Sequence, residues 1–136
     1  MGTRFGNIHS DTNLHLIEQS VIVHPAPPRF NLIEVPGVNG TVDLSDKPAG
    51  RITYGNRLIE WTYALYPNDD WEQKISQVSN AINGLKCDII LDSDPSYKYT
   101  GRVSVSEHNI DKCLRQIKVQ ATVNPYKRDS YGGTSL

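Results

Sequence analysis

Hydrophobic and polar side chains alternate along much of the chain, and this pattern predicts β-strands. The clearest alternation runs through residues 57–66, where positions 59, 61, 63 and 65 are Ile, Trp, Tyr and Leu. A second runs through residues 117–123, where Ile, Val, Ala and Val alternate with Lys, Gln and Thr. Successive strand side chains point to opposite faces, so each segment should turn its apolar side toward a core.

Shorter stretches of the same type are separated by turns rich in proline and glycine. Further strands are predicted at residues 3–8, 13–24, 30–35, 41–44, 52–54, 86–92 and 97–106. The apolar parity changes near Ile17 and Glu18, which indicates a bulge or bend. Gly101 interrupts the strand at 97–106 and is a candidate for a second bulge.

One segment has the period of a helix instead. Its apolar positions lie on one helical face and are Trp71, Ile75, Val78, Ile82 and Leu85. The polar positions expected to face water are Gln73, Lys74, Gln77 and Asn80. Asp69 can cap the start, with Glu72 three residues later completing a capping box. Asn83 and Gly84 end the helix, since glycine accepts the left-handed conformation that follows a C-cap.

These elements predict a mainly β fold, namely an antiparallel β-sandwich or split-barrel-like domain with one α-helix packed on it. The chain has 136 residues and a mass of 15.2 kDa, which fits one domain. We expect residues 1–127 to form this domain and residues 128–136 to be a flexible C-terminal tail.

Charge and composition exclude several classes of protein. The net charge is −1 and there is no run of Lys or Arg, so nothing indicates binding to nucleic acid. No apolar run is long enough to cross a bilayer, and the N-terminus has no apolar stretch typical of a signal peptide. The cysteines, Cys87 and Cys113, are expected to be free thiols of a chain made in a cytoplasm.

No pattern of catalytic or metal-binding residues stands out. The four histidines (His9, His15, His24 and His108) lack the spacing of metal ligands. The turn from Asp92 to Asp94 lacks the glycine and the distal glutamate of a calcium loop. Asp69 and Asp70 stand where a helix begins, and the helix dipole explains them. We therefore expect no metal, no cofactor and no enzymatic activity.

The seven tyrosines leave two interpretations open. Tyrosine-rich strand faces serve sugar binding or protein interfaces, because the ring packs while the hydroxyl keeps a polar contact. Ordinary packing on a sheet explains the same residues equally well. The tyrosines concerned include Tyr63, Tyr66, Tyr97 and Tyr99.

Six segments, taken in order, resemble one family. They are residues 5–10 (FGNIHS), 33–44 (IEVPGVNGTVDL), Tyr54 with 57–59 (RLI), 82–86 (INGLK), 92–103 (DSDPSYKYTGRV) and 124–127 (NPYK). Together they resemble the N-terminal, ring-forming domain of phage distal tail proteins, which are tail-tip hub components of long-tailed phages. The resemblance extends over about residues 5–127.

This resemblance implies a structural protein of a phage or prophage virion, located at the tail tip. It implies a hexameric ring that joins the tail tube to the baseplate or receptor-binding machinery. Its partners would be further copies of itself, the tail tube, the tape measure and baseplate or fibre components. Many members continue into a lectin-like domain, whereas this chain ends soon after Lys127. The ring and hub role is therefore expected rather than direct carbohydrate contact.

A ring needs a head-to-tail interface, and one hairpin is a candidate for the head. Pro36 and Gly37 suit a type II turn, and Asn39 with Gly40 suits a second turn two residues later. The predicted subunit-interface residues are Val35, Pro36, Gly37, Val38, Asn39 and Gly40. The alternatives are a plain surface hairpin here and, for the whole chain, a carbohydrate-binding β-sandwich module of a tail tip or a wall hydrolase.

Overall fold

A computed structural model describes residues 2–46, 50–67, 70–108 and 116–136, although the side chain of His108 is not included. Within these ranges it contains one helix, α1 (Trp71–Ile82), and eleven strands. The strands are β1 (Thr3–Phe5), β2 (Ile8–His9), β3 (Leu16–Val23), β4 (Leu32–Glu34), β5 (Thr41–Asp43), β6 (Arg57–Leu65), β7 (Lys86–Leu91), β8 (Tyr97–His108), β9 (Gln116–Val123), β10 (Lys127–Asp129) and β11 (Thr134–Ser135). The predicted antiparallel β fold with one helix is confirmed.

The main sheet is antiparallel, with the order β2-β1-β7-β8-β9-β6-β3. Its apolar inner face carries the side chains predicted from the alternation in β6 and β9, which are fully buried. The two ends of this order come together. The Leu16 amide donates to the Ser10 carbonyl at 3.0 Å, and the Phe5 ring meets the Trp61 ring edge-on at 5.0 Å. Of the two predicted architectures, the split barrel describes this curled sheet.

The helix covers one opening of the curled sheet through Val78 and Ile82. Its N-cap is Asp70, whose side chain accepts the Glu72 amide at 3.2 Å. Asp69, the predicted cap, lies outside the described residues. Asn83 is the C-cap, as predicted, and Gly84 follows with φ of +83°. Leu85, predicted on the helical face, lies beyond the helix, because the chain leaves the helical conformation at this cap.

The prediction that Lys74 faces water is wrong. Lys74 is only 9% exposed, and its Nζ donates to the Leu14 carbonyl at 3.0 Å. The position lies three residues after Trp71 and four before Val78, so it shares the buried stripe of the helix. The aliphatic stem of lysine can pack along this stripe while the ammonium group reaches a backbone oxygen.

The predicted bulge at Gly101 also differs from the structure. Gly101 is not a bulge, because it pairs in register with Cys87 on one side and Val123 on the other. A β-carbon there would collide with the Thr122 carbonyl and lie 2.6 Å from the Val123 Cα, so the glycine permits a close backbone approach. The predicted bulge near Glu18 is confirmed between Glu18 and Ser20.

Residues 52–54 form a single bridge rather than a strand, in which Tyr54 pairs with Pro28. Proline has no amide to donate to a ladder, and this limits the pairing.

The segment predicted as a flexible tail contains a hairpin. β10 pairs with β11 and with the start of β8, where Arg128 is opposite Lys98. The Asp129 side chain closes the turn by accepting the amides of Tyr131 and Gly133. The division of the chain at residue 127 stays a prediction. No helix in the described part of the chain is long and apolar enough to span a membrane.

Candidate functional site: a projecting arm

Strands β4 and β5 pair only with each other and form a two-stranded sheet apart from the main one. We call residues 31–45 the arm. Every residue from 31 to 43 is exposed. The segment predicted as a projecting hairpin therefore does project from the body of the domain.

The tip of the arm has the predicted turn. The Val38 amide donates to the Val35 carbonyl at 3.2 Å, and Gly37 between them has φ of +81°. A positive φ at the third position, after proline at the second, defines a type II turn. Gly40 also has a positive φ, +76°. The candidate interface residues, Val35 to Gly40, therefore lie together around one concave tip.

The base of the arm is held by a polar cluster. Asn31 donates its amide to Ser45 Oγ at 2.8 Å and accepts the Leu44 amide at 2.7 Å. The Ser45 hydroxyl and amide both donate to Asp43 Oδ1, at 2.5 and 2.9 Å. These two hydrogen bonds from Ser45 lower the pKa of the Asp43 carboxyl. The ionised carboxylate of Asp43 therefore stabilises the base of the arm, where β4 begins and β5 ends.

A short stem joins the arm to the main sheet. The Gly55 amide donates to the Pro27 carbonyl and the Arg29 amide to the Thr53 carbonyl, both at 2.7 Å. Ala26 is buried beside them. The arm is thus fixed at its base while its strands reach into solvent.

The arm exposes an unusual amount of apolar surface. Its exposed apolar side chains, including Phe30 at the junction with the stem, are Phe30, Leu32, Ile33, Val35, Val38 and Val42. Phe30 is 66% exposed and Val38 is 53% exposed. Exposed apolar side chains in this number indicate a place where another surface binds. The geometry suits protein contact, but it does not identify the partner.

Strand β3 provides a second exposed surface that the sequence did not indicate. It ends the order of the main sheet, so one side of its backbone has no partner strand among the described residues. Ile17, Ile22 and Val23 are all exposed along it. Edge strands of this kind are open to pairing with another chain. The alternation in 13–24 predicted the strand, but its place at the edge depends on long-range pairing.

Arg57 is an unexpected buried cation close to the arm's stem. It begins β6 on the inward parity and is only 7% exposed, and its Nε is buried without a hydrogen-bond partner. Its guanidinium carbon lies 5.7 Å from the centre of the Tyr99 ring, which is a cation–π contact. No described residue forms an ion pair or hydrogen bond with it. The alternation of inward-facing and outward-facing positions over residues 57–65 was the sequence signal that could have predicted the burial of Arg57.

The candidate metal and catalytic residues whose side chains the structure describes do not form a common centre. His9 Nε2 lies 3.0 Å from Asp92 Oδ2, which also accepts the Gly2 amide, so Asp92 holds the N-terminal segment. His24 contacts Glu60, and His15 stacks on Tyr66. No group of three or more potential ligands occurs in the described ranges. His108 and Cys113 lie outside the side chains described, and Cys87 is a free thiol whose pKa is raised by burial and by Asp88.

The tyrosines singled out in the sequence are mostly engaged within the fold. Tyr63 is fully buried, and its burial, with the nearby charge of Glu18, raises the pKa of its phenol. Tyr99 is buried, and Tyr97 has the Lys127 ammonium 4.5 Å from its ring centre. Their ring faces contact protein groups, so they do not form an open platform for a sugar.

Comparisons with known proteins identify the fold. No protein-family model matches the sequence, and no curated protein sequence matches it. Among solved structures, the chain is similar to the Dit protein of phage SPP1, described as a paradigm of the hub adsorption apparatus of phages that infect Gram-positive bacteria. The TM-score is 0.71 at 13% sequence identity, and the match covers 94% of this chain. It covers 51% of the SPP1 protein, so the chain has the fold of about half of that phage hub protein.

Proposed function

We propose that this chain is a structural protein of a phage or prophage tail that forms a ring at the distal end of the tail. In this role it connects the tail tube to the baseplate or receptor-binding machinery and acts without enzymatic activity. The observation that carries the proposal is the apolar arm that projects from a domain with the fold of a phage hub protein. The site of action is the tail tip of the virion.

The arm supports a ring because it is one half of a head-to-tail contact. A ring of identical subunits needs one surface that projects and a different surface that receives it, and rotation closes the series. The candidate residues Val35 to Gly40 provide the projecting surface. Six copies of a 15.2 kDa chain would have a mass of roughly 90 kDa. The other partners would be tail-tube, tape-measure and baseplate or fibre proteins.

The test compares Val38→Asp with Tyr131→Asp by sedimentation and negative-stain microscopy. Val38 lies at the arm's tip, whereas Tyr131 is 98% exposed in the C-terminal hairpin, far from the arm in sequence. We expect closed rings from the wild type and from Tyr131→Asp, and a strong loss of rings from Val38→Asp at unchanged melting temperature. An uncompensated charge in an apolar contact is strongly unfavourable.

Two results would contradict the proposal. A wild-type chain that stays monomeric at millimolar concentration and binds no tail protein removes the ring. A monomer that binds cell-wall glycans would instead support a carbohydrate-binding module. If Val38→Asp lowers the melting temperature of the monomer, Val38 belongs to the folded core and the arm is not the contact.

A further inference from the structure

Arg57 is only 7% exposed, and among the described residues no acidic side chain forms an ion pair with its guanidinium. Its Nε has no hydrogen-bond partner, and its contact with Tyr99 is the interaction that the structure gives it. A guanidinium stays protonated under all conditions in which proteins fold. Burying a charge is unfavourable unless a partner compensates it, so such a group is expected to have an anionic partner.

Partly exposed apolar side chains neighbour Arg57 in the sheet. Arg57 and Ile59 lie on the same face of β6, and Val23 is opposite Ile59 on β3. Val23 is 37% exposed although it shares this inward face. Tyr126 is also exposed, and its ring contacts that of Tyr54 in the stem. Val23, Arg57 and Tyr126 thus provide exposed apolar side chains and one largely buried positive charge.

The arm carries the opposite charge. Residues 31–46 include three acidic residues and no Lys, Arg or His. Asp43 is occupied by Ser45 at the base, whereas Glu34, near the tip, has no ion pair or hydrogen bond with a described residue. Leu32 precedes Glu34 by two positions, so both side chains lie on one face of the hairpin.

We propose that Glu34 of one copy binds Arg57 of the next, with Leu32 packing against Val23. The inference rests on the proposed ring and names the surface that receives the arm. The spacing between Leu32 and Glu34 on the arm matches the spacing between Val23 and Arg57 on the receiving surface. Leu32 and Glu34 are two strand residues apart, about 6.6 Å, and Val23 is the diagonal neighbour of Arg57, at about 7–8 Å. From Asn31 to Gly37 the arm is six residues long, so it extends about 20 Å from its base.

A cycle of four proteins tests the pairing: wild type, Glu34→Gln, Arg57→Met and the double variant, each assayed for assembly by sedimentation. We expect each single change to weaken association about tenfold or more. The double variant should associate within about twofold of the weaker of the two single variants. Asp46→Asn is the matched control, an exposed acid one residue beyond the base of the arm. It should leave association unchanged and add to Arg57→Met without coupling.

The melting temperature of the monomer gives a second readout that does not depend on the ring. Replacing a buried, unpaired charge with an apolar side chain of similar volume is neutral or stabilising. Arg57→Met should therefore melt at the same temperature as the wild type or higher while assembling less well. If it does not fold, Arg57→Lys keeps the charge but loses the planar fork, and it should fold and assemble poorly.

The results separate a failure of the ring from a failure of the Glu34–Arg57 pairing. A monomeric wild type overturns the ring and the pairing with it. A wild-type ring in which the effects of Glu34→Gln and Arg57→Met are additive overturns only the pairing. A sharp fall in the monomer's melting temperature on both substitutions of Arg57 shows that the guanidinium serves its own fold.

Discussion

The indole N–H of Trp61 donates a hydrogen bond to the Thr3 hydroxyl at 3.0 Å, although their strands, β6 and β1, are each second from opposite ends of the main sheet. The same hydroxyl donates to Glu18 Oε1 at 2.7 Å. Side chains therefore close the curled sheet where no continuous backbone ladder does. Thr3 is fully buried, so each of its hydrogen bonds is shielded from water.

Replacing Thr3 with valine should open this junction. The change keeps the shape of the side chain but leaves the Trp61 N–H without its acceptor, and an unsatisfied buried donor costs about 1–3 kcal/mol. Urea unfolding followed by tryptophan fluorescence measures the loss. The matched control, Thr122→Val on the exposed face of β9, should change stability by less than about 0.5 kcal/mol. Equal effects at both positions would contradict the role of Thr3.

Lys74 should stabilise the contact between the helix and the N-terminal loop. Lys74→Ala removes its hydrogen bond to the Leu14 carbonyl and the packing of its stem, and we expect a loss of about 1–3 kcal/mol. Gln77→Ala, at an exposed position of the same helix, should cost less than about 0.5 kcal/mol. Thermal unfolding of both variants decides whether the buried stripe includes residue 74.

Gly101→Ala should be among the most damaging substitutions in the sheet. The new methyl group would meet the backbone of Thr122 and Val123, which cannot move without breaking the pairing of β8 with β9. We expect a loss of about 3 kcal/mol or more, beyond the usual range for overpacking. Gly55→Ala is the control, since its methyl group would lie 3.3 Å from a proline side chain and needs only a small shift.

The base of the arm should loosen in acid. The pKa of Asp43 is lower in the folded chain than in the unfolded one, so the stabilisation is fully present above the unfolded value and is lost as the pH falls through the folded value. Unfolded aspartates titrate near pH 3.9, so the loss should begin below about pH 4. The protection factor of the Ser45 amide, that is its intrinsic exchange rate at each pH divided by the rate measured by NMR, should fall there. Asp43→Asn should remove this dependence on pH, and Asp46→Asn should keep it.

The sequence predicted the structural features that depend on residues close together in the chain. Alternation placed β6 and β9 with the correct inward face, and the proline–glycine pair placed the turn at the tip of the arm. The helix was predicted to its correct end at Asn83 because cap residues act locally.

Features that depend on distant parts of the chain were not predictable in the same way. The exposed edge of β3 follows from which strands pair. The buried state of Lys74 depends on a carbonyl sixty residues earlier. The charge on Arg57 is visible in the sequence, but the lack of an anion beside it appears only in three dimensions.

The pairing of β1 with β7 has a consequence for synthesis. Phe5 finds its partner at Ile89. At about 5–20 residues per second, Ile89 leaves the ribosome roughly 4–17 s after Phe5. During this interval the apolar side chains of β1 lack their partner strand β7. Long-range pairing of this kind folds slowly and leaves strands exposed to aggregation. Nascent chains that stop before β7 should therefore depend on chaperones, whereas chains extending past β9 should not.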